Sequence, residues 1–136
     1  MIRAIAFDFD GVLVESVDVK TRAYAYLFKE YGQDVVSKVV DYHMENGGIS
    51  RFVKLRTIYD KILKKPLSES KLDSLSEQFS SIVVDAVVAA PWVEGAQEFL
   101  KKNKNRYLYF IVSGTPQQEL ELIIKRRRMG KYFCAV

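Results

Sequence analysis

At 136 residues and 49% apolar side chains, the chain is long enough to bury a core and too apolar to be disordered. No apolar run is long enough to span a bilayer. The net charge of +4, from 21 basic and 17 acidic residues, raises nucleic acid as a partner. The densest basic run, Lys125-Arg126-Arg127-Arg128, falls at the end of a predicted helix, where cations complement the helix dipole and stay solvated. Nucleic acid is therefore set aside, and modest positive charge better suits an anionic small molecule. Arg3 and the early carboxylates do not read as a secretory leader. The one cysteine, Cys134, cannot form an internal disulfide, so a cytoplasmic setting is expected.

In chain order, the first element is the apolar run Ile2 to Phe7, which leads into Asp8, Phe9, Asp10 and Gly11. The run reads as a parallel strand covered on both faces. Such sheets bind ligands beyond the carboxyl ends of their strands, where Asp8 and Asp10 fall. The two share strand parity, so both can lean toward one crevice. Gly11 permits a sharp turn and keeps backbone groups accessible. One aspartate reads as a turn residue. Two, separated by an aromatic and without a neighbouring Lys or Arg, call for a cation, with a divalent metal the simplest, or for acid–base work.

A helix is predicted over 18–31 and a second over 37–46, broken by Gly47-Gly48. Ser50 is expected to cap a third, with Phe52, Leu55, Tyr59 and Ile62 on one face. Ser68 caps a long helix with the stripe Leu72, Leu75, Phe79, Ile82 and Ala86. After Pro91 come a helix over 94–103, a buried strand over 107–112, and a helix opened by Thr115 as N-cap with Pro116 in its first turn. Residues 132–136 read as the start of a third strand. The β-α-β-α-β order gives an α/β fold: an incomplete Rossmann-like parallel sheet from residues 1–16 and 91–136, with a helical bundle over 17–90 inserted as a cap.

Phe7-Asp8-Phe9-Asp10-Gly11-Val12-Leu13 closely resembles the first motif of the haloacid dehalogenase superfamily. Tyr109-Phe110-Ile111-Val112-Ser113-Gly114-Thr115 resembles its second. The resemblance spans nearly the whole chain. It implies a Mg²⁺-dependent phosphomonoesterase acting on a small phosphorylated metabolite through an aspartyl-phosphate. Asp8 would be the nucleophile and Asp10 the acid and base, and both would be metal ligands, with the Asp10 main-chain carbonyl also contributing. Ser113, Gly114 and Thr115 would hold the phosphoryl oxygens, with Gly11 beside them; Ser113 is favoured for this because Thr115 is expected to do the capping. Asp10 argues against a dehalogenase. Lys20, where the sugar-phosphate mutases of the family carry a histidine, argues against a mutase. Arg51, after the loop Gly47-Gly48-Ile49-Ser50, is placed as a clamp on a substrate anion, with a solvated helix face as the other reading. Lys54, one turn on and on the same side, is read as solvated, with assistance to Arg51 as the other reading, and His43 as a packing or surface residue. A later lysine and acidic motif of the family cannot be placed, so the chain is expected to be an N-terminal portion with little turnover, or else a non-catalytic phosphate- or protein-binding module. Exposed sheet edges lead us to expect self-association.

Overall fold

The computed structural model describes all 136 residues. Two short strands, β1 (Ala4–Phe7) and β2 (Leu108–Ile111), pair in parallel, with Ala4 opposite Leu108 and Phe7 opposite Ile111. Strand alternation puts Ile5, Phe7, Tyr109 and Ile111 on one face and Ala4, Ala6, Leu108 and Phe110 on the other. The first face is covered by an aromatic cluster, in which the Phe7 ring meets Phe99, Tyr109 and Phe133 edge-on at 6.2, 5.5 and 6.4 Å. On the second face Ala4, Ala6 and Leu108 are exposed. The expectation of a strand covered on both sides is thus corrected: alanines in an apolar run face solvent at little cost.

The third strand reduces to one parallel bridge between Phe110 and Ala135. Cys134 N–H donates to the Tyr109 carbonyl at 2.8 Å, and Ile111 N–H to that of Ala135 at 3.1 Å. A 3₁₀ turn over Gly130–Tyr132 takes up the residues expected to open that strand.

Five helices lie between the strands, the first four being α1 (Val17–Leu27), α2 (Gln33–Glu45), α3 (Arg51–Thr57) and α4 (Glu69–Ala89). Their boundaries depart from the sequence reading for local reasons. α1 ends four residues early and passes into a 3₁₀ turn over Lys29–Tyr31. α2 starts sooner than predicted because Gly32, at φ +92°, turns the chain at once and Asp34 favours the dipole in the first turn. α3 carries no side-chain cap from Ser50. It widens into a π-helical segment, Ile58–Leu63, which ends at Lys64 in the left-handed region.

Ser68 does cap α4, its hydroxyl accepting from Lys71 N–H at 3.2 Å. The buried stripe of α4 continues from Phe79 to Val83 and Val87 instead of Ile82 and Ala86, following an i+4 row. After Trp92 come α5 (Ala96–Asn103), β2 and α6 (Gln117–Arg126).

The basic run that ends α6 is not uniformly solvated. Arg127 turns inward and donates to the carbonyls of Val87, Val88 and Ala90 at 2.9, 2.8 and 2.5 Å, with its guanidinium over the Trp92 ring. It thereby satisfies carbonyls left open at the end of α4 and ties that helix to α6. The whole arrangement sets the turn after β1, the loop after β2 and the loop before α3 around one cavity.

Candidate active site

The cavity encloses about 220 Å³. Asp8 and Asp10 line its floor, Gly114 and Thr115 one side, and Gly47, Gly48 and Ile49 its roof. Asp8 Oδ1 accepts from Phe9 N–H at 2.6 Å, which fixes the carboxylate. Oδ2 has no protein donor, and the roof lies close over it: a Cβ on Gly48 would be 4.0 Å away. Asp8 and Asp10 do share one crevice, as strand parity predicts.

Asp10 is not left without a neutralising cation. Ser16 Oγ donates to its Oδ1 at 2.6 Å, and Lys20 Nζ to its Oδ2 at 2.5 Å. Lys20 is ten residues away in sequence, but α1 returns it to the site, where it also donates to Thr115 Oγ1 at 2.7 Å. The premise of two unneutralised aspartates is therefore corrected: it holds for Asp8 alone. With both carboxylate oxygens of Asp10 engaged, the protein oxygens available to a metal are Asp8 Oδ2 and the Asp10 main-chain carbonyl, which accepts no hydrogen bond.

The second loop also differs from expectation. Thr115 is not the N-cap of α6; Pro116 stands there, extended, and no side chain caps the helix. The Thr115 N–H donates to Ser113 Oγ at 3.2 Å, so a phosphoryl oxygen must compete with that hydroxyl for it. Ser113 stands behind the cavity wall, bonded to Thr115, whereas Gly114 and Thr115 line it. Gly114 is fixed by contact: a Cβ there would lie 2.7 Å from the Gly48 carbonyl oxygen and 2.8 Å from that of Ile49. The Gly11 amide is not accessible either, because it donates to the Val14 carbonyl at 2.8 Å. At φ +72°, Gly11 shapes the turn and does not line the cavity.

Arg51 is neither a solvated face residue nor a free clamp. It is buried at 4% exposure and paired in bidentate fashion with Glu119, Nη2 to Oε1 at 2.7 Å and Nη1 to Oε2 at 2.9 Å. Nη1 also donates to Ser80 Oγ at 2.8 Å, and the guanidinium lies over Phe79. Burial raises the pKa of Glu119, but hydrogen bonding and charge from Arg51, with Ser80, more than offset this and hold its carboxyl below the ordinary value. The pair joins α3 and α4 to α6 across the cavity rim.

Lys54 and His43 are likewise not surface residues. Both are buried cavity residues, and Lys54 Nζ donates to His43 Nδ1 at 3.0 Å. Burial, then the charge of Lys54, lowers the His43 pKa to about 4. Burial, then the charge of Lys20, lowers that of Lys54 to about 8.

His43 gives the fold an acid sensitivity. Its neutral form is favoured in the native state, so the unfolded chain binds more protons between its ordinary 6.5 and the folded value of about 4. Stability is therefore expected to fall as pH drops through that window, by on the order of 2 kcal/mol. In urea unfolding at pH 7 and pH 5, His43→Asn should remove much of the difference.

Sequence reading passed over Glu119, used Lys20 only to set a mutase aside, and did not place His43 and Lys54 at the cavity. The available signal was charge within an apolar stripe: Glu119 precedes Leu120 and Ile123, His43 follows Val39 by four, and Lys54 precedes Leu55.

Paired aspartates beyond a parallel strand, roofed by a glycine loop and a helical segment, form an acidic crevice at the carboxyl end of an α/β sheet. The chain belongs to the haloacid dehalogenase-like hydrolase family, whose model matches residues 2–136. It is 24% identical over 132 residues to the phosphorylated carbohydrates phosphatase of Thermotoga maritima, covering 97% of this chain and 59% of that protein. Among solved structures, it is similar to the β-phosphoglucomutase of Clostridium difficile, with a TM-score of 0.77, 22% identity and coverage of 99% of this chain and 60% of that one. It is also similar to a predicted phosphoglycolate phosphatase from Haemophilus somnus, with a TM-score of 0.68, 18% identity and coverage of 98% and 61%. The chain thus spans about three fifths of the length of these proteins. No helix is long and apolar enough to cross a membrane.

Proposed function

We propose that this chain supplies the nucleophile, the proton-handling group and the cap of a phosphomonoester hydrolase, with residues 17–90 as cap over a core of 1–16 and 91–136. The substrate is a small phosphorylated metabolite. The observation that supports this most is the asymmetry of the two aspartates. Asp8 is oriented by one backbone N–H with its other oxygen bare beneath the Gly48 loop, whereas Asp10 is held at both oxygens.

Asp8 attacks the ester phosphorus in line, forming an aspartyl-phosphate and releasing the alcohol. Asp10, with Lys20 Nζ 2.5 Å from its Oδ2, gives the leaving oxygen a proton, then takes one from the water that opens the intermediate. The Gly114 amide, which has no protein acceptor, receives a phosphoryl oxygen at the mouth of α6.

Asp8 Oδ2 and the Asp10 carbonyl fit a partial oxygen shell for Mg²⁺, an ion that retains waters and takes its remaining ligands from phosphate. When bound, Mg²⁺ offsets the charge between carboxylate and phosphate.

Trifluoroberyllate, a mimic of the aspartyl-phosphate, tests the reading by ¹⁹F NMR. With Mg²⁺ the chain is expected to give bound fluorine resonances that vanish in Asp8→Asn. Binding that survives this substitution would instead support the non-catalytic module, a reading favoured by the full engagement of Asp10.

A further inference from the structure

The cavity wall holds two polar groups that the hydrolase machinery leaves unused, the His43 imidazole and the Tyr24 phenol. Both residues are buried, at 8% and 3% exposure, and both line the cavity. Their rings stack at 4.6 Å and form one patch of wall. Lys54 Nζ meets His43 Nδ1 at 3.0 Å and the His43 main-chain oxygen at 3.4 Å, and it lies 5.9 Å from the centre of the Tyr24 ring. The ammonium is thus engaged within the protein, by His43 and by an aromatic face.

Lys54 decides where the imidazole keeps its hydrogen. An ammonium has hydrogens to give and no lone pair, so Nδ1 must accept and the ring hydrogen must sit on Nε2. Burial and the Lys54 charge keep the ring neutral down to about 4, while Lys54, at about 8, holds its proton at neutral pH. Burial also raises the pKa of the Tyr24 phenol, which stays uncharged. Neither His43 Nε2 nor Tyr24 Oη has a hydrogen-bond partner in the protein. Tyr109 Oη is the one side-chain polar atom sealed from solvent without a partner. His43 Nε2 and Tyr24 Oη are therefore open, and the space that both residues line is the cavity.

We propose that His43 Nε2–H and Tyr24 Oη together read an uncharged oxygen, a hydroxyl or a carbonyl, on the organic part of the phosphomonoester. The proposal rests on the reading of the cavity as a phosphomonoester site with Asp8 at its floor. Groups of this kind select by rejection. An ester that lacks the oxygen leaves two polar atoms of the wall unpaired, and one that carries it satisfies them. A hydroxyl accepts from Nε2–H and exchanges a bond with Tyr24 Oη, whereas a carbonyl accepts from both. Lys54 is a positioning residue: it fixes the tautomer of His43 and touches no reacting atom. A cavity of about 220 Å³ suits a skeleton of a few carbons.

His43 is the only histidine of the chain, so long-range ¹H–¹⁵N NMR of the labelled parent at pH 7 reads its tautomer directly. The Nε2–H pattern is expected, and Lys54→Met should shift it toward a mixture with Nδ1–H. Ligand selection is read by calorimetric titration, with Mg²⁺ present, of the Asp8→Asn chain, which forms no aspartyl adduct. The probes are glycerol 3-phosphate, hydroxyacetone phosphate and propyl phosphate, which share carbon count and charge. One or both of the oxygen-bearing esters should bind roughly tenfold tighter than propyl phosphate. Whichever binds tighter identifies the oxygen as hydroxyl or carbonyl. Adding Tyr24→Phe or His43→Asn should bring the ratio toward one. His43→Gln, whose amide reaches the place of Nε2, should restore part of it.

Equal affinity for the three esters, with trifluoroberyllate still captured by the parent, overturns the oxygen-reading site and leaves the hydrolase reading intact. Failure of all three esters and of trifluoroberyllate removes both. An Nδ1–H tautomer or an imidazolium at pH 7 overturns the proposal by itself, in a measurement that needs no variant to fold.

Discussion

Glu119→Ala is expected to lower the unfolding free energy by about 3–5 kcal/mol, a fall in Tm of roughly 10–20 °C at this chain length. Glu119 and Arg51 are 8% and 4% exposed, and the bidentate contact is the only charge compensation the guanidinium has. Removing the acid leaves Arg51 buried against Phe79 and two serines, which cannot neutralise it. Replacing both partners, Arg51→Met with Glu119→Leu, should recover most of the loss, since apolar packing often matches a buried pair. The acid dependence separates the cases. The folded pKa of Glu119 is depressed, so the stability it contributes is present above its ordinary value of 4.5 and is lost as pH falls through the folded value. The double variant should lack that contribution. A single variant that melts with the parent would mean that solvent already screens the pair.

Gly114→Ala is expected to cost about 1–3 kcal/mol, as overpacking does, and to weaken trifluoroberyllate capture by roughly tenfold. The added methyl would lie 2.7, 2.8 and 2.9 Å from backbone atoms of Gly48 and Ile49, and backbone cannot step aside as a side chain can. The roof must lift, and the roof is what stands over Asp8 Oδ2. Gly47→Ala in the same loop is the control, since a Cβ there meets nothing within 4 Å. Equal melting temperatures and equal capture by the two variants would show that the loops are not in contact in solution.

The two predictions concern the same joint between the helical segment and the sheet. Arg51–Glu119 and the Gly114 contact both seat the segment over Asp8, and Arg127 holds the end of α4 from behind.

The sequence by itself determined the α/β order, the parallel pairing of the two strands and the placement of Asp8 and Asp10 in one crevice, because strand parity and the position of a strand's end are local properties. It also marked the cap of α4, since the Ser68 bond spans only three residues. Only the tertiary structure decided which charges meet. Lys20 reaches Asp10 from the next helix, and Arg51 finds Glu119 at a separation of 68 residues. Lys54 and His43 meet in the cavity because α2 packs against α1 and against the π-helical segment that continues α3. Thr115 gives up its predicted capping role because Lys20 and Ser113 compete for its hydroxyl. Ion pairs and burial depend on where helices cross, and helix periodicity gives the face of a charged residue but not what that face will meet.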